Sequence, residues 1–210
     1  MNHDEARFKK QYFGFATTTK NCANIYIKHW VAKLEPERSK ETAKNSGWIE
    51  WIHRNLSDKH CEVCLSLNGC WFLKTKAPTW PHHQYCHCVL KNVDYSKIIL
   101  ESMALSKYSK FDPYLFNVNN AYPHKKQEMF LKWGYTVEDS KWLQKEIEKQ
   151  ALEKYRLGDY KLGVLDRYGQ RISIRVEIPR KISGENVSFI TGWTVLPSGR
   201  ISLNTPYGGK

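Results

Sequence analysis

No stretch of this 210-residue sequence approaches the ~18 uninterrupted apolar residues that a membrane-crossing helix needs. The first ten residues carry Asp4 and Glu5 and contain no apolar core segment, so they do not read as a secretory signal. Internal repeats and low-complexity tracts are missing as well, which excludes solenoids and flexible arrays. Acidic residues are in deficit, 21 against 33 basic ones, and the formal charge is +12. Histidine nearly vanishes from the second half, where His124 stands alone among residues 111–210.

What remains is a chain able to build packed cores, with 41% hydrophobic and 13% aromatic residues. The positive charge is spread over both halves rather than gathered in a tail: residues 1–110 hold 17 basic and 10 acidic side chains. Such a field attracts phosphate polyanions but carries no sequence specificity. A reducing cytosol is the expected setting, and there clustered cysteines read as metal ligands rather than disulfides. Asn55-Leu-Ser57 and Asn186-Val-Ser188 then match the glycosylation pattern by chance alone.

Four of the six cysteines form two close pairs, Cys61-x-x-Cys64 and Cys86-x-Cys88, the second inside Pro81-His-His83-Gln-Tyr-Cys86-His-Cys88. Two pairs of soft ligands separated by a loop can close a tetrahedral zinc site. The donors offered are Cys61, Cys64, Cys86 and Cys88, or a set in which His83 replaces one of the last two. A metal-free turn and a pair of disulfides stay open as alternatives. Cys70 reads as a core side chain beside Trp71, and Cys22 lies apart in sequence. His60-Cys-Glu62 resembles the H-x-E of zinc deaminases, but here it overlaps the C-x-x-C instead of preceding it, so that reading fails.

The expected fold is α+β, with a small Cys-rich zinc-knuckle domain at 1–108 and a domain of two helices and a four-stranded antiparallel sheet at 109–210. A helix is predicted through Ile25 to Ala32, and another over Trp48, Ile49, Trp51, Ile52 and Leu56, whose spacings of three and four suit a helix that packs on the knuckle. Cys70 to Leu73 and Val89-Leu90 read as strands, and residues 94–112 as a connector. Beyond it come a helix from Lys125 to Trp133 closed by Gly134, and a second opened by Thr136 and Asp139 with Leu143, Ile147, Ala151, Leu152 and Tyr155 on one face. Strands at 160–165, 171–178, 187–196 and 200–204 follow, with Ile172, Ile174, Val176 and Ile178 inward and Arg171, Ser173, Arg175 and Glu177 outward.

Trp48-x-x-Trp51, Asp58-Lys-His-Cys61-Glu-Val-Cys64-Leu-Ser-Leu-Asn-Gly69 and Pro81-x-His83-x-x-Cys86-His-Cys88 together resemble the phage Mu F-like minor head, or head morphogenesis, proteins. That family's pattern is a C-x-x-C followed by L-x-G, a variable loop, and P-x-H-x-x-C-R-C; His87 stands where Arg is usual. The resemblance covers roughly residues 45–92. It implies a protein of the procapsid near the portal, present in the bacterial host cytoplasm and the virion, with portal or capsid proteins as partners and a role in head assembly or DNA packaging and delivery. The second half resembles the toxin domains of the barnase/EndoU/colicin/RelE group in its element order, in Gly192-Trp193, and in Leu203-Asn-Thr-Pro-Tyr207. This implies metal-independent RNA cleavage, and an immunity protein as a further partner.

Such cleavage needs a base, an acid and cations for the phosphorane charge. The candidates are His124 for proton transfer, Arg171 and Arg175 for charge, and Thr191, Trp193, Thr205 and Tyr207 on the adjoining hairpin for contacts to the strand or its bases. The competing reading is a non-enzymatic adaptor that binds DNA, RNA or the portal through its basic face. Thr205 to Gly209 also reads as a simple terminal tail.

Overall fold

The computed structural model describes residues 47–54, 61–84, 86–117 and 125–209. The helix expected at 25–32, the Asp58 to His60 part of the first motif, Cys22 and His124 lie outside these described residues. Among the described residues the fold is α+β, with four α-helices and two sheets. None of these helices is long and apolar enough to cross a membrane.

The first sheet has the order β2-β1-β3, from β1 (Trp48–Ile52), β2 (Trp71–Leu73) and β3 (Val89–Val93), all antiparallel. The helix expected over Trp48 to Leu56 is therefore corrected: its described part is the central strand of this sheet. Trp48, Ile49 and Trp51 are all buried, so the strand is covered on both faces and its sequence becomes an almost unbroken apolar run. Such a run satisfies a helical and a strand period equally. The short helix α1 (Glu62–Leu67) connects β1 to β2, and its first turn spans the first cysteine pair.

The second sheet has five strands in the order β4-β8-β7-β6-β5, from β4 (Met103–Leu105), β5 (Lys161–Asp166), β6 (Gly169–Pro179), β7 (Asn186–Leu196) and β8 (Arg200–Gly209). Four strands were expected. The fifth, β4, pairs parallel with β8 through Met103–Arg200 to Leu105–Ser202. The supposed connector thus holds helix α2 (Tyr95–Glu101) and a strand, both too short and too exposed to show a period. The supposed tail is also corrected, because Thr205 to Gly209 continue β8 beside β7.

Alternation in β6 places Ile172, Ile174, Val176 and Ile178 inward as expected. Helices α3 (Lys125–Lys132) and α4 (Ser140–Arg156) supply the aromatic and aliphatic side chains that bury this face: Phe130 packs on Phe189 with ring centroids 5.5 Å apart. Leu143, Ile147, Ala151 and Tyr155 form the inward stripe of α4, while Leu152 is only half-buried. The capping box is present: the Asp139 carboxylate accepts the Thr136 N–H at 2.8 Å and an ion pair from Lys181 at 2.9 Å. Burial alone would raise the Asp139 pKa; these hydrogen bonds and the Lys181 charge bring it below its ordinary value.

One hydrophobic cluster runs through both sheets. The fully buried Tyr155 of α4 donates its hydroxyl to the Trp71 carbonyl at 2.6 Å, and its ring meets Trp48 edge-on at 5.3 Å. Tyr160 donates to the Lys76 carbonyl at 3.3 Å and accepts the Leu73 N–H at 3.1 Å. Two glycines permit this approach: a Cβ on Gly199 would lie 2.5 Å from the Trp71 ring, and one on Gly158 would lie 2.3 Å from Leu73. Tyr155→Phe leaves the Trp71 carbonyl without its buried donor, so a loss of about 1–3 kcal/mol in denaturant unfolding is expected. An unchanged unfolding midpoint would show that this bond does not hold the sheets together.

Candidate metal centre

Helix α1 and the loop before β3 bring the two cysteine pairs together. Cys61 occupies the N-cap position of α1 and Cys64 follows one turn later, with the Leu65 N–H bonded to the Cys61 carbonyl at 2.9 Å. On the other arm, the Cys86 N–H bonds to the His83 carbonyl at 3.2 Å, which curls His83 and Cys86 toward one side. Trp80 donates its indole N–H to the Cys88 carbonyl at 3.3 Å and closes the loop over the entry to β3.

The Cys64 sulfur lies 3.1 Å from His83 Nε2 and 3.8 Å from the Cys86 sulfur. Cys61, Cys64 and His83 present ligand atoms within 4.8 Å of one another, and so do Cys64, Cys86 and Cys88. Cys64 belongs to both triads. All five side chains therefore lie close enough to bind a metal ion. For metal–sulfur bonds of about 2.3 Å, a tetrahedron has an edge of about 3.8 Å, which is the spacing observed between Cys64 and Cys86. His82 and His87 belong to neither triad.

The sulfurs of this pocket perturb one another. Cys64, Cys86 and Cys88 are all buried, and the described cysteines form no disulfide. The hydrogen bond between Cys64 and Cys86 holds Cys86 well below the ordinary thiol range, with Cys88 assisting. The same bond to Cys86, followed by the bond to Cys88 and by burial, pushes Cys64 upward. Cys88 is raised as well, to about 12: the bond to Cys64 lowers it, but the bond to Cys86 and burial outweigh that, so a divalent ion would have to displace these protons to bind the sulfurs as thiolates. Cys70 is separate, as expected. It is buried in the core with its thiol on the Ser66 and Val195 carbonyls, and burial raises it to about 12.

The residues expected to act on RNA do not form one constellation. Arg171 and Arg175 project from the outer face of β6, where Arg171 pairs with Asp166 at 3.4 Å and Arg175 donates to the Ser188 hydroxyl at 3.1 Å. Thr191 and Trp193 sit on the opposite, inner face and are fully buried; the Trp193 indole donates to the Thr191 hydroxyl, which donates to the Ile174 carbonyl. Neither can touch a strand or stack on a base, which corrects their assignment. The signal was available: Val187, Phe189, Thr191, Trp193 and Val195 share one parity, and that parity is apolar at every other member.

Thr205 and Tyr207 lie elsewhere again, at the far end of β8 against α3. There the Thr205 hydroxyl accepts from Lys126 at 2.9 Å, a lysine that no sequence pattern singles out.

A family model described as a domain of unknown function, DUF6883, matches residues 94–208. The chain belongs to the DUF6883 family. No curated protein and no solved structure matches it. The DUF6883 span opens at Asp94, directly after β3, and takes in α2 and all five strands of the second sheet. The cysteine centre lies before it.

If the centre holds one ion, the shared ligand should matter most. Purified protein is expected to carry about one equivalent of a divalent metal, Cys64→Ser to lose it, and Cys70→Ser to keep it, as read by elemental analysis. Full metal content in Cys64→Ser would remove the centre from the account.

Proposed function

We propose that this DUF6883 protein is a minor head-type protein of a tailed phage or prophage, stapled by a structural zinc ion, whose DUF6883 domain cleaves RNA. The observation that carries the head-protein reading is the meeting of the C-x-x-C arm and the P-x-H-x-x-C-x-C arm in one buried pocket. These are the two motifs that resemble the Mu F-like family. Thiolates with an imidazole suit zinc, and a pocket offering at least four protein donors leaves no position for a catalytic water. The ion is then a staple, and head or portal proteins are the partners in the host cytoplasm and the assembled particle.

The cleavage reading rests on the toxin-like element order and on the basic character of the chain. In this reaction the 2′-oxygen forms a bond to phosphorus as the bond from phosphorus to O5′ breaks. One proton leaves the 2′-hydroxyl and one reaches O5′, giving a 2′,3′-cyclic phosphate and a 5′-hydroxyl with no metal or added reactant. An immunity protein that covers the domain before release is the corresponding partner. The burial of Thr191 and Trp193 favours a second reading, in which the domain is an adaptor that holds nucleic acid without turnover.

Incubating the full chain with RNA in the presence of a chelator of free divalent ions separates the two. Cyclic-phosphate ends that accumulate with time are the expected result. Intact RNA after long incubation at high protein concentration, with retention that weakens as salt rises, would replace the ribonuclease by the adaptor.

A further inference from the structure

Three segments of the DUF6883 domain meet where α3 begins: the turn at Tyr108–Lys110 with the residues just after it, the first turn of α3, and the end of β8. Lys126 Nζ stands at their centre. It donates to Thr205 Oγ1 at 2.9 Å and to the Tyr114 hydroxyl at 3.3 Å, and it lies 5.6 Å from the Tyr114 ring centroid. Lys110 Nζ approaches the same ring at 5.8 Å.

Two features separate this cluster from ordinary surface lysines. First, neither Lys126 nor Lys110 enters an ion pair among the described residues, whereas Arg171 and Lys181 do. Two ammonium groups held on one aromatic ring without a carboxylate leave positive charge that an anion would neutralise. Second, Lys126 is half-buried and oriented from behind. Thr205, its partner, donates in turn to the Tyr207 carbonyl at 2.9 Å, and the Tyr207 ring is wedged against Phe130, Trp133 and Phe189. The core therefore fixes the position of the ammonium group, and little side-chain freedom remains to be lost on binding.

We infer that Lys126, Lys110 and Tyr114 form the phosphodiester-binding site for an RNA strand, at the Thr205 end of β8 rather than on the Arg171 and Arg175 face. The choice of RNA among phosphate polyanions rests on the proposed ribonuclease reading. Lysine ammonium groups bind phosphate oxygens as point charges, and the exposed Tyr114 adds an aromatic ring. Thr205 acts through Lys126 as a positioning residue.

The test uses the full chain and a short 2′-O-methyl RNA oligonucleotide, which binds but has no free 2′-hydroxyl to attack. Its affinity is measured by fluorescence anisotropy at several salt concentrations. Lys126→Met is expected to weaken binding roughly tenfold and to lower the slope of log affinity against log salt by about 1. Lys161→Met removes the same charge from exposed β5 at the opposite edge of the sheet and is expected to change affinity by less than about twofold. If Lys126→Met melts early, Lys110→Met serves with the same expectation. Equal affinity in Lys126→Met, Lys110→Met and Lys161→Met, or no binding by the parent protein, would overturn the site. Unmodified RNA in a parallel series separates the two ideas. Selective loss of binding without any cleavage by the parent keeps the site and removes the ribonuclease. Undiminished cleavage and binding by Lys126→Met and Lys110→Met keeps the ribonuclease and removes the site.

Discussion

Three sulfur atoms buried in one pocket, with an imidazole and a fourth thiol beside them, set the constraint on which the rest of this structure depends. Thiolates packed so closely repel one another, and thiols packed so closely satisfy few hydrogen bonds. A shared cation would resolve both problems and would turn the pocket into a crosslink between α1 and the loop that enters β3. The consequence reaches beyond the first sheet. Ser66 of α1 bonds to the Asp166 carbonyl at 3.1 Å, Cys70 just beyond it bonds to the Val195 carbonyl, and the Ser198 N–H bonds to the Gly69 carbonyl at 2.8 Å. Fixing α1 therefore fixes the surface that receives the β5–β6 and β7–β8 turns.

The DUF6883 domain is joined to this cysteine-bearing unit by shared burial as much as by hydrogen bonds. Tyr155 crosses from α4 to the Trp71 carbonyl, and Arg156 of the same helix holds the Ile99 carbonyl of α2 and the Ser102 hydroxyl just after it. Helix α4 thus ties the first sheet, α2 and the edge strand β4 to one inner face. That face is committed to packing. Polar side chains from separate segments meet instead at the rim, and the Lys126 cluster is such a place.

Much of this was legible in the residues, and the failures have identifiable physical causes. The alternation of β6, the inward stripe of α4 and the Thr136–Asp139 box are local patterns enforced by one solvent-facing side, so periodicity reveals them. The cysteine spacing disclosed the donors because tight turns keep ligand pairs together whatever the surrounding fold. Strand β1 was misread because both of its faces are covered and the polar half of its pattern is missing. Strand β4 was missed because its partner β8 lies about a hundred residues away and only three pairs form. Chemical type alone does not mark an exposed residue: the parity of β7 sends Thr191 and Trp193 into the core. Lys126 and Tyr114 carry no mark in sequence, since only the tertiary fold sets them beside Thr205.

X-ray absorption at the zinc edge of the purified protein tests the central claim most directly, because it reports the ligand atoms themselves. The account predicts a four-coordinate first shell dominated by sulfur at about 2.3 Å, completed by further sulfur or by one nitrogen at about 2.0–2.1 Å. A shell of oxygen atoms, or a folded protein that takes up no zinc, would contradict it.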